Sequence, residues 1–363
     1  MNGLARQPVL IMAGGTGGHI FPGLAVAEVL RGRGIDVHWL GARGGMEGTE
    51  VAAHGIAMDE VRISGVRGKG ILGWLLLPFR LLRALGDAWR SLRRVRPACA
   101  ISFGGYAAGP GGLAAWLKGV PLVVHEQNRV PGMTNRFLAR LAARVLQAFP
   151  GTFPESARAE TCGNPVRSDV AALPEPRQRF QARAGAPRLL VTGGSQGASV
   201  LNRVVPAAVA ALPLSLRPHI RHQAGRGAQA STLEAYRDQG VEAEVCEFVR
   251  DMAAAYGWAD LVVCRAGALT VSELAAAGLG AVLVPFPHAV DDHQTRNAEF
   301  LEQAGGARIL PEAALSPDSL AAVLAALLAD RGLLMDWAEA SRAVGVRDAA
   351  QRVAAACTPW VAT

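Results

Sequence analysis

Ala13-Gly-Gly-Thr-Gly-Gly-His19 and Thr192-Gly-Gly-Ser-Gln-Gly-Ala198 are the two Gly-rich turns on which the fold of this chain depends. Each turn follows a short apolar run, Val9–Met12 in the first half and Leu189–Val191 in the second, and each precedes a helical pattern. A buried strand, a Gly-rich turn and a helix open a doubly wound α/β domain. The two turns therefore predict two similar domains of this class.

Further apolar runs extend the pattern in both halves and alternate with helical patterns such as Gly23–Arg31, Phe79–Arg94 and Gly112–Lys118. Repeated strand and helix units predict parallel sheets that are covered on both faces. The further predicted strands are Val37–Leu40, Ala100–Phe103, Leu122–His125 and Val145–Ala148 in the first half, and Ile220–Gln223, Ala243–Cys246, Leu261–Cys264 and Ala281–Val284 in the second.

The composition is that of a globular protein with an anionic partner. Of the 363 residues, 50% are hydrophobic and only 18% are charged, which excludes a disordered chain. The 5 cysteines are scattered and form no Cys-x-x-Cys pair, so we expect a reduced protein without a zinc site. The net charge of +7 suits nucleotide phosphates, anionic lipid or nucleic acid.

The apolar stretch Ile71–Phe79 is too short to cross a bilayer, which takes ~20 residues. It lies among basic residues, however, and base mixed with apolar wedges is typical of a membrane-surface segment. Leu81, Leu85, Ala88 and Leu92 have core spacing, and we expect them to face the sheet. The predicted membrane residues are Arg67, Lys69, Ile71, Leu72, Trp74, Leu75, Leu76, Phe79 and Arg80.

The Gly-rich turns suit phosphate, because each exposes backbone at the N-terminus of a helix. Neither turn is a dinucleotide fingerprint: Ile20 stands where the third Gly is required, and no acid follows Trp39-Leu40-Gly41. No Lys follows either turn, so a Walker loop is also excluded. His19 lies at such a turn, where a helix N-terminus favours the neutral imidazole, and is a candidate general base.

The second half carries a further helix start, Cys264-Arg-Ala-Gly-Ala-Leu-Thr-Val-Ser-Glu273. Thr270 and Glu273 have capping-box spacing, but the carboxylate of Glu273 could instead hold the hydroxyls of a ribose, which we favour. The polar loop Pro285–Asn297 suits sugar hydroxyls better than a metal, since the chain contains no Asp-x-Asp. Arg167 lies at the connection of the two halves, where it could reach a diphosphate or form a hinge ion pair.

These stretches occur in the order found in the MurG family of peptidoglycan glycosyltransferases, which the chain resembles over nearly its whole length. Gly280 departs from the family pattern, which has Pro before that strand. The matching motifs are Gly14-Gly-Thr-Gly-Gly-His19, Arg62-Ile-Ser-Gly-Val-Arg-Gly-Lys-Gly70, Gly104-Gly-Tyr106, His125-Glu-Gln-Asn128, Gly163-Asn-Pro-Val-Arg167, Gly193-Gly-Ser-Gln-Gly197, Gly267-Ala-Leu-Thr-Val-Ser-Glu273 and Asp292–Asn297.

The resemblance implies the GT-B fold, in which two Rossmann-like domains with parallel sheets face each other across a deep cleft. It places an acceptor-binding and membrane-associated domain at residues 1–164, with the last helix, at about 342–363, packed back on it. A UDP-sugar-binding domain would span residues 165–341. The expected donor contacts are Thr16, Gly17, Gly18, Asn128, Arg167, Ser195, Phe248, Val249, Ala268, Leu269, Thr270, Val271, Ser272, Glu273 and Gln294.

The reaction that the resemblance implies is an inverting, metal-independent transfer without a cofactor. N-acetylglucosamine would pass from UDP to the C4 hydroxyl of lipid-linked N-acetylmuramyl-pentapeptide, and His19 would be the base, with Glu126 as its rival. The implied partners are UDP-N-acetylglucosamine, that lipid acceptor (lipid I), anionic membrane lipids, and proteins of cell-wall synthesis and division. The implied location is the cytoplasmic face of the bacterial inner membrane, as a peripheral protein.

Three other functions compete with this interpretation. A UDP-N-acetylglucosamine epimerase would share the fold but needs no lipid acceptor, so the basic and apolar segment speaks against it. A nicotinamide oxidoreductase is disfavoured by the broken fingerprint. A nucleic-acid-binding protein would suit the positive charge, but only 6% of the residues are aromatic and no recognised binding motif is present, so nucleic acid is not an expected partner.

Overall fold

The computed structural model describes residues 7–63, 77–181, 183–194 and 197–361. The chain divides into two compact units, Met1–Arg167 with Asp348–Thr363, and Ser168–Arg347. The domain boundaries that were expected from the sequence stay a prediction, which limited proteolysis would test. Each unit is an α/β fold with its own parallel sheet.

The strands of the first unit pair in the order β3-β2-β1-β4-β5-β6-β7, and all the pairs are parallel. Helices cover both faces of the sheet, and the core residues of its central strands are fully buried. The strands are β1 (Val9–Ala13), β2 (Val37–Ala42), β3 (Ala57–Val61), β4 (Cys99–Gly104), β5 (Leu122–Glu126), β6 (Arg144–Gln147) and β7 (Glu160–Thr161). The helices are Gly17–Gly32, Glu47–Ala53, Leu77–Val95, Ala108–Leu117, Met133–Leu138 and Ala349–Cys357, with 3-10 turns at Glu155–Ala157 and Thr358–Trp360.

The second unit repeats this topology with the order β10-β9-β8-β11-β12-β13, again with parallel pairs only. Its strands are β8 (Arg188–Thr192), β9 (His219–Gln223), β10 (Glu244–Cys246), β11 (Leu261–Cys264), β12 (Gly280–Leu283) and β13 (Ala307–Ile309). Its helices are Ser168–Ala171, Pro176–Gln181, Ser199–Ala210, Gln229–Asp238, Met252–Trp258, Ala268–Ala277, His293–Gln303, Pro317–Leu328 and Arg331–Ala343, with 3-10 turns at Leu214–Leu216, Val290–Asp292 and Glu312–Ala314.

In both sheets the strand order reverses beside the strand that precedes a Gly-rich turn. The reversal lies between β1 and β4 in the first sheet, and between β8 and β11 in the second. Ligands of doubly wound sheets bind beyond the carboxyl ends of the strands at such a reversal. The fold therefore places the carboxyl ends of β1 and β8, from which the two Gly-rich turns begin, where a ligand is expected.

Candidate active site

The turns that follow β1 and β4 approach each other closely at the reversal of the first sheet. A Cβ built on Gly105 would stand 2.2 Å from the carbonyl oxygen of Gly14, so only glycine fits there. The ring of Tyr106 is half exposed and lies 3.9 Å from the Cβ position of Gly15. The result is an open edge lined by backbone, with one aromatic ring beside it.

The helix Gly17–Gly32 starts within the first Gly-rich turn, earlier than the predicted Gly23. Thr16 is its N-cap residue, but the Thr16 side chain makes no capping hydrogen bond. Gly18 is exposed and Gly17 partly so. An uncapped helix N-terminus at the surface attracts anions, so Thr16, Gly17 and Gly18 suit phosphate or the polar groups of a sugar.

His19 lies in the first turn of that helix and is partly exposed. Its Nδ1 atom is 2.9 Å from Oε1 of Gln127, which follows β5. Its ring also packs on the backbone of Gly104, where an added Cβ would stand 3.2 Å from Cε1. The imidazole is thus held through Nδ1 and contacted at its Nδ1–Cε1 edge, and its Nε2 atom takes part in neither of these contacts.

Glu126 is buried and has both carboxylate oxygens engaged. Oε1 accepts from the backbone N–H of Asn128 at 3.0 Å and from its side chain at 3.2 Å. Oε2 accepts from the N–H of Gly132 at 3.2 Å and from the Asn135 side chain at 3.0 Å. A carboxylate with four donors shapes the loop that carries Asn128 and is a poor proton acceptor for a substrate.

Glu47 is a residue of this region that the sequence reasoning missed. Its carboxylate is fully buried and accepts from the N–H of Ala42 at 2.7 Å, at the end of β2, and from the N–H of Gly15 at 3.2 Å. As the sequence indicated, no acidic residue directly follows Trp39-Leu40-Gly41. The carboxylate of Glu47, on the next helix, nevertheless reaches the end of β2 and connects it to the Gly-rich turn through these two hydrogen bonds.

Arg167 is the last residue of the first unit, and its guanidinium lies over the ring of Phe21, 5.8 Å from the centroid. A cation over an aromatic face is held in a defined orientation. Together with Leu24 and Glu28, these two side chains line one open cavity of about 550 Å³. The predicted contact of Arg167 with donor phosphate or sugar stays a prediction.

In the second unit, the helix Ala268–Ala277 begins with Gly267 as its N-cap, a residue that has no side chain with which to cap it. The alternative that Thr270 and Glu273 form a capping box is therefore wrong, because Thr270 already lies inside the helix. The first turn of this helix, whose predicted diphosphate contacts are Ala268, Leu269, Thr270, Val271 and Ser272, keeps the character of an anion site.

Glu273 is only 3% exposed and accepts a hydrogen bond of 3.1 Å from the hydroxyl of Tyr256. The carboxylate is thereby fixed at one oxygen within its own unit. Phe248, by contrast, has 58% of its surface exposed, and Val249 beside it is partly exposed. An exposed aromatic ring that follows a strand suits stacking against a nucleobase.

Hydrogen bonds hold the polar loop after β12 in place, and only some of the residues that form them were identified from the sequence. The side chain of Gln294 accepts from the N–H of Phe286 at 2.9 Å, and Asn297 is buried and donates to the carbonyl of Ala266 at 3.4 Å. Arg265, not predicted as a site residue, donates to the carbonyls of Val284 and Pro285 at 3.2 Å each. Arg265 thus connects the end of β11 to this loop.

Several predicted site residues lie outside the described residues. They are Ser195 of the second Gly-rich turn and Arg67, Lys69, Ile71, Leu72, Trp74, Leu75 and Leu76 of the predicted membrane segment. Within residues 7–63, 77–181, 183–194 and 197–361, no helix combines the length and apolar character that crossing a bilayer requires.

The helix Leu77–Val95 presents an apolar and basic surface next to that segment. Phe79 has 71% and Leu82 66% of its surface exposed, and Arg83 beside them is exposed as well. The expectation that Leu81 faces the sheet is wrong, since it is 43% exposed; Ala88 and Leu92 do face the core. The buried side of the helix begins at Ala84, one turn later than the spacing suggested, and Leu85 packs partly buried against the core. Arg80 is only partly exposed.

Two family models match the chain. The model of the glycosyltransferase family 28 N-terminal domain matches residues 9–147, and that of the family 28 C-terminal domain matches residues 188–353. The first match lies within the first unit, and the second covers most of the second unit and the start of the segment Asp348–Thr363.

Relatives of known name match over almost the full length. A UDP-N-acetylglucosamine–N-acetylmuramyl-(pentapeptide) pyrophosphoryl-undecaprenol N-acetylglucosamine transferase of Marinobacter nauticus is 53% identical, over 97% of this chain and 97% of that protein. The protein of the same name from Nitrosococcus oceani is 55% identical, over 96% of this chain and 97% of that protein.

Solved structures agree with these matches. The crystal structure of Acinetobacter baumannii MurG is similar with a TM-score of 0.84 and 39% identity, and the match covers 97% of this chain and 99% of that one. A glycosyltransferase of kitacinnamycin, at 19% identity and a TM-score of 0.72, covers 98% of this chain and 100% of that one and shares the fold. The GT-B fold class that was predicted from the sequence is confirmed.

Proposed function

The chain belongs to glycosyltransferase family 28, and from this premise we propose the reaction it performs and the residues that perform it. It transfers N-acetylglucosamine from UDP-N-acetylglucosamine to N-acetylmuramyl-(pentapeptide) pyrophosphoryl-undecaprenol, a step of peptidoglycan synthesis. The observation that carries this conclusion is the identity of 53% and 55% to transferases of that name over almost the whole chain.

The reaction is a displacement at the anomeric carbon of the donor sugar. The C4 hydroxyl of the muramyl residue loses its proton and forms the new C–O bond, while the bond to the diphosphate breaks and UDP leaves with the electron pair. The site must therefore supply a proton acceptor for the hydroxyl and positive potential for the departing diphosphate. The two units carry groups suited to these two tasks.

His19 is the proposed proton acceptor. It is partly exposed at the reversal of the first sheet, and its Nδ1 atom is engaged by Gln127, which leaves Nε2 for the hydroxyl. Glu126 is the weaker candidate, because four donors already bind its carboxylate. Among side chains, the imidazole of histidine is the one best matched to base catalysis at neutral pH.

The donor nucleotide is assigned to the second unit. The exposed ring of Phe248, with Val249, is proposed to receive the uracil, Glu273 the ribose, and the uncapped start of the helix at Ala268 the diphosphate. Gln294 is proposed to contact the sugar from the loop after β12. Ser195 is retained as a proposed diphosphate contact, and Thr16, Gly17, Gly18, Asn128 and Arg167 as donor contacts from the first unit.

The charge that grows on UDP is proposed to be stabilised without a metal ion. The helix Ala268–Ala277 directs backbone N–H groups and a partial positive charge outward from its N-terminus, where the N-cap residue is a glycine without a capping side chain. The guanidinium of Arg167 adds a full charge that does not depend on pH. Together they would play the part that a divalent cation plays in other nucleotide-dependent transferases.

The direct test is transfer of labelled N-acetylglucosamine from UDP to a lipid-diphosphate muramyl-pentapeptide, with a chelator present. Labelled lipid product in the chelated reaction is the expected result. A reaction that requires added divalent cation would overturn the metal-free step but keep the transfer. Conversion of the UDP-sugar to its epimer without transfer would instead support the epimerase alternative.

We further propose that the first unit rests on an anionic membrane as a peripheral protein, at the cytoplasmic face where the UDP donor is available. The exposed Phe79 and Leu82 lie on the helix Leu77–Val95, which also carries exposed Arg83 and Arg90. This helix packs on Ala108–Leu117, and the two meet where Lys118 Nζ stands 4.4 Å from the ring of Trp89. Proteins of cell-wall synthesis and division stay proposed partners.

Vesicle sedimentation tests the membrane surface. Phe79→Ser with Leu82→Ser should reduce binding to anionic vesicles at least about tenfold, since full burial of the two side chains contributes up to about 4 kcal/mol and a loss of about 1.4 kcal/mol is already tenfold. Charge reversal at Arg67, Lys69 and Arg80 should release the protein as well. Leu214→Ser is the matched control, because Leu214 is 80% exposed in the second unit. Equal binding by all variants would refute the assignment.

A further inference from the structure

A chain of hydrogen bonds joins His19 to the interior of the first unit. Nδ1 of His19 lies 2.9 Å from Oε1 of Gln127, and Nε2 of Gln127 lies 3.1 Å from Nδ1 of His125. Nε2 of His125 in turn lies 3.0 Å from the carbonyl oxygen of Gly163. One end of the chain has a fixed role, since a carbonyl oxygen only accepts hydrogen bonds.

The proton positions along the chain follow from that end. Because the Gly163 oxygen accepts, Nε2 of His125 carries its hydrogen. Burial lowers the pKa of His125 to about 4, so the ring is neutral and its Nδ1 atom has a lone pair instead of a hydrogen. His125 Nδ1 is therefore an acceptor at physiological pH, and the Gln127 atom that faces it is a donor.

A second contact confirms the orientation of the Gln127 amide. Its Nε2 atom also lies 3.0 Å from the backbone carbonyl oxygen of His125, a group that only accepts. The two amide hydrogens are thus both directed at His125, one at its ring and one at its carbonyl. Only Oε1 is left to face His19, and an amide oxygen accepts. Nδ1 of His19 must therefore donate.

We propose that Gln127, oriented by His125, is a positioning residue that holds His19 in the Nδ1–H tautomer and so keeps the lone pair of Nε2 for the acceptor hydroxyl. The inference rests on the proposed function, in which His19 is the base. When the C4 hydroxyl reacts, its proton passes to Nε2 and gives an imidazolium that still donates to Gln127 through Nδ1. The C4 oxygen forms the bond to the anomeric carbon, and the UDP oxygen takes the electrons of the bond that breaks.

The arrangement fixes two properties of the ring that catalysis requires. The first is the tautomer, because a ring with its hydrogen on Nε2 cannot take a proton there. The second is the orientation, because the Gly104 backbone lies against one side and Gln127 holds Nδ1. In serine proteases the wrong histidine tautomer lowers kcat about 10⁴-fold when it is locked in place. Loss of the Gln127 acceptor would release the ring without locking it, so a smaller loss of about tenfold is expected.

The test reads the tautomer directly, from the ¹⁵N resonances of the His19 ring in the whole protein labelled with ¹⁵N-histidine. In the wild type at a pH where His19 is neutral, Nδ1 should resonate as a protonated nitrogen and Nε2 as an unprotonated one. Gln127→Met removes the acceptor oxygen and should lose this signature, with kcat lower by about tenfold or more and the KM for the donor within about twofold.

Two variants separate positioning from folding. Gln127→Glu loses both hydrogens that bond His125 but keeps an acceptor oxygen for His19, so it should retain more of the Nδ1–H signature and more turnover than Gln127→Met. Gln147→Met is the matched control, because Gln147 is another buried glutamine of the same unit that bonds Thr161 and the N–H of Phe153 instead. It should keep the wild-type signature and kcat.

The outcomes distinguish this inference from the proposed function. Hydrogen on Nε2 of His19 in the wild type would overturn the positioning role of Gln127, whatever the base. Turnover of His19→Ala close to that of the wild type would overturn His19 as the base. The chain of hydrogen bonds from Gly163 to His19 would then have no role in catalysis. A wild-type Nδ1–H signature that Gln127→Met abolishes together with kcat would support both.

Discussion

The buried carboxylate of Glu47 accepts a hydrogen bond of 3.2 Å from the backbone N–H of Gly15, and a second of 2.7 Å from the N–H of Ala42. The Gly-rich turn of the first unit is thus held in shape from the end of the neighbouring strand. A glutamine at position 47 would have only one side-chain oxygen, so it could accept from only one of these two backbone N–H groups. Its NH₂ group would face the other N–H group, which is itself a donor.

We therefore expect Glu47→Gln to loosen the turn. It should lower the free energy of unfolding by about 1–3 kcal/mol, the cost of a buried unsatisfied group, and raise the KM for the donor. Urea unfolding and initial rates measure the two effects. Glu50→Gln, on the same helix but without these two backbone contacts, is the control. Equal effects of the two substitutions would contradict the role of Glu47.

Gly105 tests the close approach of the two turns at the reversal of the first sheet. Gly105→Ala places a Cβ 2.2 Å from the carbonyl oxygen of Gly14, at a residue whose φ is +88°. Gly119→Ala is the matched control, because its φ is +69° and a Cβ there meets nothing within 4 Å. The backbone conformation alone costs about 1–3 kcal/mol. Gly105→Ala should cost more than the control and also abolish most turnover, as urea unfolding and a transfer assay would show.

Glu126→Gln distinguishes a loop-shaping carboxylate from a catalytic base. The NH₂ group of a glutamine at position 126 would face groups that are themselves hydrogen-bond donors, so we expect the free energy of unfolding to fall by about 1–3 kcal/mol. The dependence of kcat/KM on pH should keep the position of its acidic limb, because the titrating base is still present. Loss of that limb in Glu126→Gln, with normal stability, would make Glu126 the base instead of His19.

Stability should fall in mild acid because two histidines are buried in neutral form. Burial lowers the pKa of His125 and that of His222 to about 4, while an unfolded histidine titrates at about 6.5. Between these values only the unfolded state binds the protons, so each histidine makes stability rise with pH by about 1.4 kcal/mol per unit. The contribution of each neutral buried histidine to the free energy of unfolding is complete above about pH 6.5 and is lost as the pH falls toward about 4.

The His222→Gln variant tests this sign. His222 bonds Tyr236 and Asn202 in the second unit and takes no part in the proposed site. Its replacement should reduce the slope of unfolding free energy against pH between about pH 4 and 6.5 by about one proton. The control, His219→Gln, replaces an exposed histidine of the same strand and should leave the slope unchanged. A slope that neither substitution alters would refute the neutral burial of His222.

The central architecture was predictable from the sequence because apolar strands and Gly-rich turns are local signals. The buried β1 and β8 and the helices after them follow the predicted pattern. The edge strand β3 escaped prediction, since Ala57–Val61 has two acidic residues at its centre, is mostly unburied and pairs only at the edge of the sheet, with β2. The two-residue strand β7 and the short strand β13 likewise contain no hydrophobic pattern that would predict a strand.

Candidate site residues could be proposed from the sequence where their position in the chain points to them, and not where a tertiary contact does. His19 and the helix start at Ala268 were proposed from their place after a strand, and their roles stay predictions. Glu47 and Arg265 were missed, because each forms hydrogen bonds with backbone atoms of a segment that is distant in the sequence. Glu47 accepts from Gly15, and Arg265 donates to Val284. Gln127 was seen only as part of a motif, because its effect on His19 depends on the ring of His125.

The central claim, that His19 is the proton acceptor of the transferase, is tested most directly by one comparison. Single-turnover transfer of labelled N-acetylglucosamine to the lipid acceptor would be measured for the wild type and His19→Ala, with UDP binding measured beside it. We predict a rate lower by about a hundredfold or more, with the Kd for UDP within about twofold. A single-turnover rate within a few-fold of the wild type would contradict the assignment and require another base.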